Sequence, residues 1–287
     1  MGKSVLMFLA LLLAQSVSSA PHLLVSIVPQ LESVMAIAGE GAVVEALVPP
    51  GASPESYSPS AREVASFAKA QALLTIGAPV EVGIVPKLTR AFPALRVWDC
   101  TRGMRFRAME EHHHAYGHDA GHHDPHVWLS TANMLAHADC VASALAELDP
   151  PNSADYQRRA EAYKIKLRKL GRTIQKRLAP FKGERILVFH PAFGYLLDEC
   201  GLNQVAVEED GKQGGGRHLA HLAGLVSNLK AKALFTHPQG NRRNAEASAR
   251  VLGVPLLVLD PLPARYTPGM NALVETLCNA FQTETRR

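Results

Sequence analysis

A stripe of apolar residues through the middle of the chain constrains its architecture more than any other feature. Tyr156, Ala160, Tyr163, Leu167, Leu170, Ile174 and Leu178 recur every three or four residues. That spacing predicts one amphipathic helix over residues 152–179. At 1.5 Å per residue it would run about 40 Å, the width of a domain rather than of a connecting turn. "DPPNS" supplies the start signal, with Ser153 as the expected N-cap. Gly171 is expected to weaken the helix locally.

On either side of this helix the pattern alternates. "HLLVSIVP", "AVVEALVP", "ALLTIG" and "LRVWD" read as strands before it, and "RILVF", "NQVAV", "ALFT" and "PLLVL" as strands after it. Helical segments fall between them. "LESVMAIAG" ends on Gly39, Ser60-Ala-Arg-Glu63 forms a capping box, and "VEVGIVPKLTRAF" is an interrupted helix. Strand and helix in alternation imply βα units, mostly parallel sheets and right-handed crossovers. The fold class is therefore α/β: two βα lobes, residues 21–151 and 180–287, joined by one long rigid helix over 152–179. Each lobe is expected to have its own core. A stiff connector limits lobe motion.

The first twenty residues, "MGKSVLMFLALLLAQSVSSA", carry an early Lys3, an apolar run from Val5 to Leu13, and small residues at Ser18 and Ala20. This is the pattern of a secretory signal peptide, 1–20. The apolar run is shorter than the roughly 20 residues that span a bilayer. The mature protein is accordingly expected in the periplasm. Its formal net charge of +4 is spread along the chain, which argues against a nucleic-acid partner. Cys100, Cys140, Cys200 and Cys278 lie far apart without Cys-x-x-Cys spacing, so a thiolate metal site is not indicated. An exported chain can hold a disulfide, but no pairing follows from the spacing. Cys140, on an apolar helical stripe, reads as a small core residue.

Ligands of open α/β sheets bind beyond the carboxyl ends of the strands. His190 follows "RILVF", Asp260 follows "PLLVL", Glu55 lies in the loop "PPGASPESYSP" after "AVVEALVP", and His126 stands in "DPHVWL". Such nitrogen and oxygen donors, delivered to one edge of each lobe, can close a cation site in the cleft. Each also has a plainer reading. His190 can be a buried hydrogen-bonded residue, Asp260 a turn residue before Pro261, and Glu55 a solvated carboxylate. His237 in "THPQG" reads as a turn residue, and His218 and His221 as solvent residues. The Gly-Lys of "EEDGKQGGGRHL" lacks the rest of a phosphate-binding motif.

Of thirteen histidines, His112, His113, His114, His118, His122 and His123 crowd into one Gly- and Asp-containing loop just before His126. Neutral imidazoles in such a loop bind zinc weakly and exchange it. A weak multivalent loop beside a tight site raises the local metal concentration. The alternative is an idle solvent loop.

"DPHVWLS", "VFHPAFGYLLDECGL" and "LLVLDPL", in this order, resemble the periplasmic substrate-binding proteins of metal-importing ABC transporters, the ZnuA-type zinc and manganese binders. The resemblance covers essentially the whole mature chain, the long helix included. It implies a non-enzymatic, monomeric carrier that holds a divalent metal between its lobes and hands it to a membrane permease. It carries His126, His190 and Asp260 into the ligand set. The sequence departs where the family usually reads Pro-His-x-Tyr; here Pro54-Glu55-Ser56-Tyr57 puts a carboxylate in that position. The expected site is thus Glu55, His126, His190 and Asp260, holding Zn2+, with Mn2+ possible because two carboxylates harden the set. A secreted zinc hydrolase would need an open coordination position and a general base, and no His-Glu-x-x-His helix is present. A metal chaperone or adhesin without a transporter would share the same site chemistry.

Overall fold

The computed structural model describes residues 21–109, 123–209, 212–213, 222–224, 226 and 231–282. Before the long helix, strands β1 (His22–Val25), β2 (Val43–Ala46), β3 (Ala72–Thr75) and β4 (Arg96–Asp99) form a parallel sheet in the order β2-β1-β3-β4. After it come β5 (Arg185–Val188) and β6 (Asn203–Ala206), then a short antiparallel pair, β7 (Glu208–Glu209) with β8 (Lys212–Gln213), then β9 (Leu234–Thr236) and β10 (Leu256–Val258). The second parallel sheet runs β10-β9-β5-β6. In both sheets the first strand in sequence is flanked by the second on one side and by the third, then the fourth, on the other. The two lobes thus share one connectivity although their sequences show no obvious repeat.

The helices with assigned bounds among the described residues are α1 (Leu31–Ala38), α2 (Ala61–Ser66), α3 (Val80–Ala91), α4 (Thr131–Leu148), α5 (Ser153–Leu178), α6 (Gly194–Cys200), α7 (Arg242–Leu252) and α8 (Tyr266–Gln282). Gly39 closes α1 at φ +83°, a backbone conformation that costs glycine little. Ser60 and Glu63 form the capping box at α2. Pro86 lies inside α3 without ending it.

The central helix α5 has 26 residues and buries all seven residues of its apolar stripe. Two details differ from expectation. Ser153 is the first helical residue rather than the cap, because Pro150–Asn152 already form a 3-10 turn that feeds the helix. Gly171 is not a break either. A Cβ there would lie 2.7 Å from Thr131 Oγ1, so the missing side chain lets α4 pack along α5.

The cores are not separate. One buried cluster runs from Leu24 and Leu73 in the first sheet through Leu167 and Ile174 of α5 to Leu196 and Leu277. Among the described residues, the far side of the second sheet, around Leu187, Phe189, Leu234 and Leu252, forms a second core. Two helices of the second lobe join the cores: α8 returns onto α5 and α1, and α6 packs on α5 and on the Val127–Leu129 turn. The Thr267 backbone N–H of α8 donates to Glu32 of α1 at 3.0 Å. Cys140 is more than a core residue: a disulfide to Cys100, with Cα atoms 5.4 Å apart, ties the end of β4 to α4. Cys200 and Cys278 are free thiols in buried positions.

A buried polar network fixes the first lobe beneath the carboxyl end of β1. Gln30 Oε1 accepts from the N–H groups of Ser26 and Ile27 at 2.9 and 3.1 Å. Its Nε2 donates to Leu74 O at 3.0 Å and meets His137 Nε2 at 3.0 Å. Ser33 Oγ donates to Gln30 O, which leaves it to accept from His137 Nδ1 at 3.1 Å. These partners assign a neutral imidazole with its proton on Nδ1, since a second proton on Nε2 would face an amide N–H. Burial pushes the His137 pKa down to about 4 from an ordinary 6.5. The unfolded chain therefore takes up a proton at a higher pH than the folded one. The stabilisation is complete above the ordinary value and is lost as pH falls toward 4, by roughly 3 kcal/mol in all. In urea titrations at about pH 7.5 and about pH 4.5, the advantage of the parent over His137→Gln is expected to shrink by about 2–3 kcal/mol at the lower pH. An equal advantage at both would show that His137 titrates alike folded and unfolded.

Candidate metal centre

Three side chains meet at the carboxyl edges of the two sheets. Glu55 lies in the tight loop after β2, where Ser53 O accepts from the N–H groups of Ser56 and Tyr57. His126 enters a 3-10 turn, Val127–Leu129, whose three residues are all buried. His190 stands two residues beyond β5. Glu55 Oε1 lies 3.0 Å from His190 Nε2 and 3.8 Å from His126 Nε2. One ligand atom from each of the three falls within 4.8 Å of the other two. Trp128, Pro261 and Leu262 give the cavity apolar walls.

Each histidine is gripped from behind. Asp124 Oδ1 accepts from His126 Nδ1 at 2.8 Å and from its backbone N–H at 2.9 Å. Arg107 spans Asp124 and Asp198, at 2.9 Å to each. Gly194 makes room for this, because a Cβ there would overlap the guanidinium. Burial alone would raise the Asp124 pKa, but His126 and Arg107 outweigh it and keep the carboxylate ionised. Glu208 accepts from His190 Nδ1 at 2.9 Å. Burial disfavours the charged form of His190, yet the hydrogen bonds to Glu208 and Glu55 lift its pKa to about 9. The hydrogen bond from His190 in turn lowers that of Glu55, against the effect of burial. With Nδ1 of each ring committed to a carboxylate, the Nε2 atoms are the ones turned to Glu55. This is how a metal-binding imidazole is usually oriented.

The fourth expected residue, Asp260, is not among the convergent three. Asp260 Oδ1 accepts from Gln239 Nε2 at 2.9 Å and from Leu262 N–H at 3.0 Å. It shapes the turn through Pro261, and its partners Gln239 and Leu262 line the cavity. His237, read from sequence as a turn residue, does line the cavity, with its ring centroid 5.3 Å from that of His190. It carries the same signal that marked His190, a histidine directly past a strand. Neither carboxylate was expected: Asp124 opens the Asp-Pro-His motif, a signal that could have found it, whereas nothing in the sequence marked Glu208. Of the histidine-rich loop, His123 is described: it is exposed, bridges to Ala108 and stacks on Phe106 at 4.9 Å. His112, His113, His114, His118 and His122 lie outside the described residues, as do His218 and His221.

The family described as "ZnuA: Zinc-uptake complex component A periplasmic" matches residues 23–280. The chain belongs to this family. It is 29% identical to the zinc-binding lipoprotein AdcA of Streptococcus pneumoniae over 82% of this chain and 48% of that one. It thus spans about half the length of the AdcA relatives it matches. It is 25% identical to the high-affinity zinc uptake system protein ZnuA of Yersinia pestis, over 91% of this chain and 89% of the relative. The crystal structure of a ZnuA superposes with a TM-score of 0.83 at 28% identity, covering 91% of this chain and 98% of that one. The binding protein FpvC of Pseudomonas aeruginosa, in complex with Mn2+, reaches 0.75 at 25% identity, covering 91% and 98%. Among the described residues, no helix is long and apolar enough to cross a membrane.

Proposed function

We propose that this chain is the exported solute-binding component of a divalent-metal importer, capturing zinc in the periplasm and passing it to the permease of an ABC transporter. The observation that carries this reading is the convergence of Glu55, His126 and His190 in the cleft, each imidazole locked by a carboxylate at Nδ1. A mixed imidazole and carboxylate site suits zinc, and manganese also accepts it. The family membership and the zinc-binding relatives support the same cargo.

In this reading residues 1–20 are the export leader, 21–151 and 180–287 the lobes, and 152–179 the linking helix. The protein acts as a monomer. The histidine loop, His112, His113, His114, His118, His122 and His123, gathers zinc weakly and feeds the cleft.

Protein purified without chelator and then titrated with zinc tests the proposal. One tight equivalent is expected, with additional weak ones, and zinc should displace manganese. Deleting residues 111–123 should remove the weak equivalents and leave the tight one. A protein with no equivalent that survives a competing chelator is not a zinc carrier. Loss of the tight equivalent on deletion would place the primary site in the loop.

A further inference from the structure

Zinc in a closed protein site takes four ligands in a tetrahedron, and the convergent three leave it one donor short. We propose that His237 is that fourth ligand, and that Asp260 is a positioning residue that holds His237 through Gln239. This inference rests on the metal reading above and concerns only how the site is completed.

The hydrogen-bond chain behind His237 decides which ring atom is available. Asp260 Oδ1 can only accept, so the Gln239 amide must turn its Nε2 toward it, at 2.9 Å. That orientation points Gln239 Oε1 at His237 Nδ1, 3.2 Å away. An oxygen there calls for a proton on Nδ1, which leaves Nε2 with its lone pair. His126 and His190 are arranged in the same way, Nδ1 to Asp124 and Nδ1 to Glu208. Three imidazoles on one cavity therefore share one design: an oxygen fixes Nδ1 from outside, and Nε2 is the nitrogen a metal can take, on His190 in place of its contact with Glu55. Gly240 helps, since a Cβ there would stand 3.0 Å from His237 Nε2 and Cε1. The ring lies beside the three rather than within their 4.8 Å spacing. Closing on an ion therefore draws it toward His190.

The donor count agrees. The resemblance implied three histidines and one aspartate, with the loop histidine replaced here by Glu55. If Asp260 completed the set, the ion would meet two imidazoles and two carboxylates. With His237 it meets three imidazoles and one carboxylate. The carboxylate and one imidazole have exchanged places, and the softer, nitrogen-rich set that favours zinc over manganese is kept.

Zinc-edge X-ray absorption counts imidazoles directly, and chelator competition gives the affinity. Zinc-loaded parent should show three imidazoles and His237→Gln two, with affinity down on the order of 100- to 1,000-fold. Asp260→Asn should keep three and weaken binding by about tenfold, the scale of a lost supporting hydrogen bond. His237→Asp should narrow the preference for zinc over manganese. Two imidazoles in the parent, or unchanged affinity in His237→Gln, would overturn the proposal. So would a loss in Asp260→Asn equal to that in His237→Gln. His190→Ala separates this from the wider reading: if it loses zinc while His237→Gln does not, the carrier stands and only the fourth ligand is wrong. Thermal melts of the zinc-free variants show that each is folded.

Discussion

His190→Ala is expected to lower zinc affinity by roughly three orders of magnitude or more while the zinc-free protein stays folded. Losing one donor from a four-ligand site forfeits a large share of a binding free energy that runs to about 10–16 kcal/mol in structural zinc sites. Here the loss has a second part. The imidazole lies between two carboxylates, Glu55 at 3.0 Å and Glu208 at 2.9 Å. Without it they face each other with no donor between them, and the cleft loses the geometry that held Glu55 over the site. The fold should tolerate this, because Glu55 is 40% exposed and can take up water. His190→Gln is a useful companion: it retains a donor toward Glu208 but offers no imidazole nitrogen. Chelator competition measures the affinity, and a thermal melt without metal checks the fold. Zinc binding at the parent's strength in either variant would remove His190 from the site and undo the convergence on which the carrier reading depends.

The parts of this molecule that were legible in the sequence are those governed by local pattern. The stripe from Tyr156 to Leu178 has the spacing of a helix with one buried face, and in the short Val-, Leu- and Ile-rich runs the flanking Gly and Pro favour strands over buried helix segments. What was not legible depends on contacts between distant segments. Gly171 looks like a flaw until Thr131 is placed against it. Cys100 and Cys140 are 40 residues apart and pair only because the end of β4 meets α4. The expectation of one separate core per lobe failed because the larger core runs through both lobes, and nothing local announces that α8 turns back across α5. At the site, strand ends pointed to Glu55 and His190, and the Asp-Pro-His motif to His126, the three that converge. Those signals were silent on which donors face the cavity. Gln239 links Asp260 to His237, a contact between two strand ends that no local pattern shows.

Trp128→Ala should cost about 5 kcal/mol of stability, the upper range for emptying a buried aromatic position. Trp128 is 1% exposed and joins the lobes at the base of the cleft. Its Nε1 donates to Pro261 O at 2.7 Å, and its own carbonyl accepts from Tyr266 OH at 2.8 Å. Truncation removes the indole volume and leaves the Pro261 carbonyl without its donor. For a chain of this size the melting temperature should fall by roughly 10–20 °C. Trp128→Phe keeps most of the volume and loses only the hydrogen bond, so about 1–2 kcal/mol is expected. The same indole sets its edge against the His126 ring, with centroids 5.3 Å apart, and walls the cavity. Stability and zinc binding should therefore fail together. Zinc that binds only the folded state stabilises it by an increment set by its affinity. That increment should be large in the parent, slightly smaller in Trp128→Phe and much reduced in Trp128→Ala. Melts with and without zinc read it directly. A Trp128→Ala protein that melts early yet keeps the parent's full zinc increment would mean that the lobe contact and the metal cavity are independent structures that merely share a residue.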